Sequence, residues 1–334
     1  MSSLLSSLKY ELSVGSGTCT CSILGVVMSA VSVERPQFNS HVLMSGADYM
    51  SNDLELNPYM HANEPFRLHR AIQQHHIIKK ALTRAGVKVD SVKPPRYCQD
   101  GVFVANEALL GIDEETMLMA RLPKGREAET PYYTSVLRTM GKRVLHLPNE
   151  AWYFSGQGDA LRYGSYLFAG QGFRTSPGSE VHDFIEDTLG YDVVRLQTVG
   201  LINENGSPNM NIITGLPNSE FYDIDYAIAP ILWPTETERG VIAVCKEAFT
   251  EESLAKITAL PQTDIIWVPY EEATGVSACN LVSTGRAVVM NAGAPVLEQA
   301  LRERGLSITT TQNDELKKNG GSVRCTTLTL QHVV

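Results

Sequence analysis

The stretch that decides the fold is Pro65–Val92, PFRLHRAIQQHHIIKKALTRAGVKVDSV, which follows a short apolar segment at His41–Ser45. Apolar residues recur at helical spacing from Pro65 to Ala85, and Gly86 is a residue type that commonly ends a helix. Val87–Val92 then has the character of a strand. The stretch therefore predicts a unit of strand, helix and strand.

The same order of elements recurs, giving roughly five units, and such repetition favours a radial array over a doubly wound sheet. The further helices are predicted over Glu127–Met140, Gly178–Leu189, Thr250–Ala259 and Pro295–Arg304. The further strands are predicted over Asp100–Leu110, Met117–Leu122, Arg143–Leu147, Ala160–Ala169, Val193–Val199, Met210–Thr214, Ile224–Leu232, Val241–Val244, Asp264–Val268, Ala278–Val282, Ala287–Met290, Ser307–Thr311 and Ser322–Leu330.

The composition is that of a globular chain of one large or two ordinary domains, with 334 residues, 43% hydrophobic and 19% charged. No apolar run approaches the roughly 20 residues that span a bilayer, so no membrane segment is predicted. The net charge of −9 gives no overall attraction to a polyanion. Six cysteines without a framework spacing favour a reducing compartment.

Residues 1–38 are Ser-rich with little periodicity and are predicted as an irregular N-terminal extension, whereas 39–334 are predicted as a single domain. The extension is poor in the arginines that a transit peptide carries. No glycine-rich phosphate loop follows the first strand, so no dinucleotide cofactor is predicted. Cys19 and Cys21 lack a second pair of ligands, so no metal site is predicted.

Near the C-terminus, Gly320-Gly321-Ser322-Val323-Arg324-Cys325-Thr326-Thr327-Leu328 places a single thiol at the mouth of a predicted strand, just after a glycine bend. A thiol presented in this way is a candidate nucleophile. Buried cysteine is also common as a small apolar residue, so this stretch alone leaves both interpretations open.

Five stretches, in order, resemble the guanidino-group-modifying superfamily, which includes arginine deiminases, dimethylarginine dimethylaminohydrolases and amidinotransferases. They are Asn57–Met60 (NPYM), Asp100–Asn106 (DGVFVAN), Phe154–Asp159 (FSGQGD), Phe221–Asp225 (FYDID) and the Cys325 stretch. The resemblance covers most of the chain and implies the pentein fold, an α/β-propeller of five strand-helix-strand units around a central cavity. It also implies that Cys325 stands where the family's cysteine attacks a guanidinium carbon.

The resemblance places Asp100, Asn106, Asp159 and Asp225 at positions that hold the substrate. Carboxylates suit this task because they bind a planar cation by charge-assisted hydrogen bonds. Aspartate beside glycine-rich turns is also common for local backbone bonding, so Asp100 and Asp159 by themselves do not establish such a site.

Two positions depart from the family's pattern. Asp223 occupies the position of the catalytic histidine, and Ser155 that of the glutamate that orients it. Both changes affect the acid/base pair, and a carboxylate near Cys325 would oppose formation of the thiolate. Nothing in the sequence positions a replacement among the remaining candidates, His75, His76, His146, His182 and His332.

These losses predict a catalytically degenerate, non-enzymatic protein that serves as a structural or protein-interaction subunit. The alternative is an active cysteine hydrolase, or an amidinotransferase, that acts on arginine or methylarginine through Cys325. A third interpretation is a sensor that binds a small cation at Asp100, Asp159 and Asp225 without turnover.

The degenerate form resembles a dimethylargininase-like core subunit of the kinetoplastid mitochondrial RNA-editing substrate-binding complex. That resemblance implies a mitochondrial matrix location and partners that are other protein subunits, and it leaves a homo-oligomer open. We expect RNA binding by the isolated chain to be weak and salt-sensitive. A candidate basic face consists of Lys93, Arg96, Arg121, Lys124, Arg126, Arg138, Lys142 and Arg143.

Overall fold

In the computed structural model, residues 36–332 are described, and within them the chain forms five three-stranded sheets. In each sheet the middle strand pairs antiparallel with one neighbour and parallel with the other, and a helix joins the two parallel strands. The predicted five-unit α/β-propeller is therefore confirmed.

The strands are β1 (His41–Ser45), β2 (Lys88–Val92), β3 (Ala108–Leu110), β4 (Thr116–Met119), β5 (Arg143–Leu145), β6 (Ala160–Tyr163), β7 (Tyr166–Gly170), β8 (Asp192–Leu196), β9 (Ile228–Leu232), β10 (Gly240–Val244), β11 (Thr263–Trp267), β12 (Val282–Ser283), β13 (Ala287–Asn291), β14 (Ser307–Thr311) and β15 (Leu328–Gln331). The helices are α1 (Leu68–Arg84), α2 (Glu129–Thr139), α3 (Glu180–Leu189), α4 (Glu251–Thr258), α5 (Tyr270–Gly275), α6 (Pro295–Glu303) and α7 (Asp314–Lys317).

The C-terminal strand closes the ring of units. The sheet orders are β15-β1-β2, β3-β4-β5, β6-β7-β8, β9-β10-β11 and β12-β13-β14. β15 therefore supplies the first strand of the first unit, whereas every other unit takes its first strand from the segment just before it. Consequently Cys325, which precedes β15, belongs structurally to the first unit although it is near the end of the sequence.

Three helices pack against the third strand of a neighbouring unit, α1 on β14, α4 on β8 and α6 on β11, whereas α2 and α3 pack against the third strand of their own unit, β5 and β8. α1 buries Ala71, Ile78 and Leu82 along one stripe, as its apolar periodicity predicts. Gly190 ends α3 with a φ of 79°, a conformation that costs little only without a Cβ atom. Regular periodicity and glycine stops thus account for the outer layer.

Several predicted strands differ from the structure near the centre. In Asp100–Leu110 a 3-10 turn at Val104–Glu107 precedes the short β3, and Ala160–Ala169 is the hairpin of β6 and β7. Ile224–Leu232 likewise begins with a 3-10 turn before β9. Apolar runs predict burial equally well for straight and bent chain, so the sequence pattern missed these bends.

Two further predicted strands are too long, and a third does not form. The predicted strand Ser322–Leu330 is observed as β15, which begins only at Leu328, so Cys325 lies in the turn before the strand. The predicted strand Ala278–Val282 is observed only as the two residues of β12, Val282–Ser283. The turn before Met210–Thr214 is made, with Gly206 N donating to Asn203 O, but an isolated bridge rather than a strand continues it. Pro208 beside that turn has no N–H to donate to a ladder.

Neighbouring units meet at the centre through their first strands and the short segments that precede them. We call these segments the inner turns; they are residues 100–107, 155–159, 223–226, 277–281 and 322–327. Because each inner turn has the same place in its unit, residues that are far apart in sequence come together around the axis.

Phe38 stacks on Trp233 with ring centroids 4.7 Å apart, which ties the first described residues to the propeller. Residues 1–35 and 333–334 lie outside the described residues, so the predicted extension and its boundary at residue 38 stay predictions. Within residues 36–332, no helix combines the length and apolar character that crossing a membrane requires.

Candidate active site

Four of the inner turns line one pocket. Its walls are Leu56, Asn57, Asp100, Phe103, Asn106, Leu122, Pro123, Arg126, Ser155, Arg174, Tyr222, Asp223, Asn319, Gly320 and Cys325. The pocket is narrow, because the centre of a water molecule can occupy only about 10 Å³ of it. That is room for about one water.

Cys325 is buried at this pocket and its thiol has two polar partners. Asn280 Nδ2 donates to Sγ at 3.0 Å, and Sγ lies 3.3 Å from Asp225 Oδ2, to which the thiol can donate. Burial, reinforced by the negative charges of Asp225 and Asp223, raises the pKa of Cys325 well above its ordinary value. The Cys325 side chain is therefore a thiol and not a thiolate near neutral pH.

Asp223, Asn106 and Ser155 form a buried network. Asn106 Nδ2 donates to Asp223 Oδ2 and to Ser155 Oγ, both at 2.8 Å. Asp223 Oδ1 has no hydrogen-bond partner among the described residues. Burial raises the pKa of Asp223, although the charge of Arg174 and the hydrogen bond from Asn106 oppose the rise.

Arg126 fixes the orientation of the Asn106 amide. Its Nη1 donates to Asn106 Oδ1 at 3.0 Å, which leaves Nδ2 to face Asp223. Its Nε and Nη2 bind Glu129 at 3.0 and 2.8 Å, so the arginine has a buried carboxylate partner. Arg126 is thus part of the wall, with its charge already balanced, and it cannot belong to an exposed basic face.

Asp100 provides a second carboxyl in the pocket. Its Oδ1 accepts a hydrogen bond from Asn319 Nδ2 at 2.9 Å, and Asn57 Nδ2 in turn donates to Asn319 O at 3.0 Å. Burial raises the pKa of Asp100 to about 6. Both carboxyls of the pocket, Asp100 and Asp223, are therefore easier to protonate than in water.

Arg174 is the second cation of the pocket. Its Nη2 donates to Leu56 O at 2.7 Å, and its guanidinium lies 4.8 Å from the centre of the Tyr222 ring. Within residues 36–332, no carboxylate lies within ion-pair distance of it. In contrast to Arg126, this arginine can accept an anionic group of a ligand.

Two of the predicted substrate-binding residues do not line the pocket. Asp159 accepts from Thr175 Oγ1 at 2.6 Å and from Ile224 N at 3.0 Å, and so braces the inner turn at 223–226. Asp225 contacts the thiol and lines a second cavity, which we call the inner chamber.

The inner chamber is lined by Phe38, Asn39, Leu161, Arg162, Asp225, Ile228, Ala229, Pro230, Cys279, Leu281, Ser283, Arg324 and His332. Asp225 Oδ1, Arg324 Nε and His332 Nδ1 are buried and have no partner among the described residues. The chamber therefore places a buried cation next to the carboxyl group that holds the thiol.

Among residues 36–332, no histidine lines the pocket of Cys325. His182 lies in α3, and its Nε2 is 3.0 Å from the carbonyl oxygen of Gly170 in β7. Burial lowers the pKa of His182 to about 4. His332 faces the inner chamber, and burial lowers its pKa well below the ordinary value. His75 is half-buried and His76 is exposed in α1, and His146 lies at an open cleft beside α2.

The sequence pattern missed Asn280, Asn319 and Arg126 as members of the site. Asn280 not only donates to Sγ but also accepts from Cys325 N at 3.2 Å. A signal was available, since Asn280 precedes the first strand of the one unit to which no site residue had been assigned. For Asn319 and Arg126 no comparable signal exists, because neither lies in an inner turn.

In the described part of the chain, no group of three or more His, Cys, Asp or Glu side chains is arranged to hold a metal ion. Cys98, Cys245, Cys279 and Cys325 are free and buried. The chemistry of the pocket therefore rests on its thiol, carboxyl, amide and guanidinium groups.

Comparison with known proteins connects this geometry to guanidino hydrolases. The chain is 30% identical to the N(G),N(G)-dimethylarginine dimethylaminohydrolase of Mycobacterium tuberculosis over 276 residues, which covers 82% of this chain and 80% of the relative. It is 30% identical over 293 residues to the bifunctional arginine dihydrolase/ornithine cyclodeaminase ArgZ of Synechocystis sp., covering 86% of this chain. It spans only 37% of the length of ArgZ. No protein-family model matches the sequence.

Solved structures of the N-terminal domain of ArgZ have the same fold as this chain. The N-terminal domain of ArgZ bound to product superposes with a TM-score of 0.72 at 27% identity, covering 87% of this chain and 97% of that domain. The same domain, as an asparagine-to-serine variant, has been solved covalently bound to a reaction intermediate, with a TM-score of 0.72, 27% identity and the same coverage of both chains.

These relatives overturn one prediction made from the sequence. The prediction that the chain is not an enzyme is wrong, because the dimethylargininase and the arginine dihydrolase that it resembles are enzymes. The comparisons give no support for an RNA-editing role, and the mitochondrial location and the protein and RNA partners stay predictions. The chain belongs to the dimethylarginine dimethylaminohydrolase family of the pentein superfamily.

Proposed function

We propose that the chain hydrolyses the guanidino group of arginine or an N-methylated arginine through Cys325. The observation that carries the proposal is that the Cys325 thiol opens on the same buried pocket as two carboxyl groups, Asp100 and Asp223. A pocket of this kind suits a planar cation whose central carbon can face the sulfur.

The charge of the substrate activates the thiol. Burial and two nearby carboxyl groups keep the Cys325 thiol protonated. A guanidinium ion in the pocket adds a positive charge, which lowers the pKa of the thiol and of both carboxyl groups. Asp225, 3.3 Å from Sγ and with its own pKa raised by burial, can accept the thiol proton at that moment.

Asp223 can take the role that histidine has in the family. Its Oδ2 accepts the hydrogen bond of Asn106, so the proton of the neutral acid resides on Oδ1, which has no other partner among the described residues. A carboxylic acid whose pKa is raised by burial is an effective general acid near neutral pH. Asp223 can therefore protonate the departing amine.

The chemical steps balance with water as the only co-reactant. The thiolate forms a C–S bond to the guanidinium carbon, and one C–N bond breaks as its nitrogen takes the proton of Asp223. Water then adds to this carbon and the C–S bond breaks. One proton of the water restores Asp223, the other protonates the released ammonia or amine, and Asp225 returns the thiol proton to the sulfur. The products are a ureido group and ammonia, or a methylated amine from a methylated substrate.

Arg174 supports an amino acid as the substrate. It is the cation of the pocket without a carboxylate partner, so it can bind the α-carboxylate of an arginine. Because the pocket now has room for about one water, its lining must move outward when such a molecule binds.

The test is a turnover assay on the purified chain with L-arginine, monomethylarginine, dimethylarginine and agmatine, the last lacking the carboxylate. We expect citrulline with ammonia or a methylamine, and slower turnover of agmatine; ornithine would indicate the dihydrolase reaction. Cys325→Ser should reduce turnover by about 10⁴-fold or more.

The matched control is Cys279→Ser, a buried thiol that faces the inner chamber and not the pocket. It should retain turnover within about twofold. A folded wild-type chain without turnover on any of the four compounds would overturn the proposal, as would equal losses in the two serine variants.

A further inference from the structure

A second cleft lies outside the catalytic pocket, beside α2. We call it the α2 cleft; it is lined by Met119, Ala120, Arg121, Leu122, Glu127, Thr130, Pro131, Thr134, Arg138, His146 and Leu147. Its volume is about 520 Å³, which lies within the usual range of small-molecule sites. Leu122 lines both this cleft and the catalytic pocket, so the two are neighbours.

Two hydroxyl groups in the α2 cleft have no hydrogen-bond partner among the described residues, Thr130 Oγ1 and Thr134 Oγ1. Thr134 is only 8% exposed. Buried hydroxyl groups normally have a partner, and an unpaired one costs about 1–3 kcal/mol. If these two threonine side chains rotate toward the cleft, a bound molecule can form a hydrogen bond with each hydroxyl group.

Four other helical threonines do not share this property, because each donates to the carbonyl four residues earlier. Thr83 donates to Lys79 at 3.0 Å and Thr139 to Ser135 at 2.9 Å. Thr258 and Thr274 do the same. The unpaired hydroxyls are thus a feature of the helix face that lines the α2 cleft and not a general feature of the helices.

The charge around the cleft is positive on balance. Arg121 gives its hydrogen bonds to the backbone carbonyls of residues 147, 149 and 152, and within the described residues neither Arg121 nor Arg138 forms an ion pair. Glu127 is the one acidic residue of the lining. Burial lowers the pKa of His146, and the charges of Arg138 and Arg121 lower it further.

We infer that the α2 cleft binds a small organic anion, with its carboxylate or phosphate group between Arg138, His146 and the threonine hydroxyls. The apolar body of this molecule would rest on Met119, Leu122 and Leu147. The inference is independent of the reaction proposed at Cys325, since it uses none of the catalytic groups.

Benzoate is a suitable probe, and its neutral analogue benzamide and inorganic phosphate separate the contributions of charge and apolar body. Calorimetry should show saturable binding of benzoate, at least about tenfold tighter than that of benzamide or phosphate. In NMR titrations, bound benzoate should raise the pKa of His146. Absence of saturable benzoate binding, or equal binding of benzamide, would overturn the inference.

Variants locate the site. Arg138→Gln should weaken benzoate binding about tenfold. Arg84 is the matched control, since it too is a basic residue in the last turn of its helix, and Arg84→Gln should leave benzoate binding unchanged. Thr134→Val should weaken it about fivefold and Thr139→Val should not. Benzoate binding that is lost in Arg174→Gln and kept in Arg138→Gln would place the anion in the catalytic pocket and contradict the inference.

Discussion

The catalytic pocket and the inner chamber are each lined by one aspartate of the inner turn at residues 223–226. Asp223 lines the pocket with an unpartnered Oδ1, whereas Asp225 contacts Sγ at 3.3 Å and faces Arg324 in the chamber. Burial raises the pKa of both. The two aspartates therefore differ in position and not in the direction of their pKa shifts. Their positions suit Asp223 to donate a proton to the substrate and Asp225 to accept the proton of the thiol.

The comparison also explains how the family's histidine can be replaced. A histidine donates a proton near neutral pH without help, whereas aspartate needs burial to do so. Asp223 has that burial, and Asn106 and Ser155 hold it in place. The serine that replaces the orienting glutamate accepts a neutral amide hydrogen bond, and it adds no further negative charge next to the acid.

Among the variants that test the roles of the two aspartates, Asp223→Asn should have the largest effect on turnover, because it removes the proposed acid and keeps its shape. The turnover rate should fall by about 10²–10⁴-fold. Asp223→His should recover part of the loss, because it restores a proton donor. The exposed Asp264→Asn is the matched control and should have no effect. Asp223→Asn with nearly normal turnover would contradict the role of Asp223.

The pH profile sharpens the same test. The thiolate fraction grows as the pH rises, whereas the protonated form of Asp223 is lost as the pH rises through its elevated pKa. The wild-type profile should therefore be bell-shaped. Asp223→Asn should lose the descending limb that reports this acid.

The next largest effect is expected for Asp100, in the wall of the pocket, on the pH dependence of the free energy of unfolding. Burial raises the pKa of Asp100 from 3.8 to about 6, so the folded state binds the proton more tightly than the unfolded chain. The contribution of Asp100 to the free energy of unfolding should fall by about 3 kcal/mol as the pH rises through this interval.

Asp100→Asn removes this titration. The difference in unfolding free energy between wild type and Asp100→Asn, measured by urea unfolding across the interval, should decrease by that amount as the pH rises. A constant difference would show that Asp100 titrates normally, and Asp264→Asn again provides the exposed control.

The smallest effect is expected on the chamber side, from Asp225→Asn. Its carboxylate is the largest electrostatic cause of the raised thiol pKa after burial, so its removal should let the Cys325 thiolate form at lower pH. Thiolate absorbance measured against the same variant carrying Cys325→Ser would report this shift. Turnover should fall only about tenfold, since the substrate cation also lowers the thiol pKa.

If Asp225→Asn reduced turnover more than Asp223→Asn, the two aspartates would have the opposite roles. An unchanged thiol pKa in Asp225→Asn would show that the contact between Asp225 and Sγ does not control the thiol.

Sequence patterns predicted most of the outer layer well. The helix at Pro65–Ala85 is observed as α1, Leu68–Arg84, and the predicted strand Ser307–Thr311 is observed with the same bounds. Apolar periodicity and glycine stops are local properties, so they can be recognised without the fold. The centre was predicted less well, because 3-10 turns interrupt apolar runs there without a change in composition.

The sequence by itself determined that the chain forms repeated strand-helix-strand units and carries one thiol next to a glycine bend, because both follow from neighbouring residues. The tertiary structure alone decided which polar groups meet that thiol. In an extended strand Asp223 and Asp225 would face the same side, but a 3-10 turn begins at Ile224 and separates them. Asn280 reaches Cys325 from a different unit, 45 residues away in sequence, because the ring closes through β15.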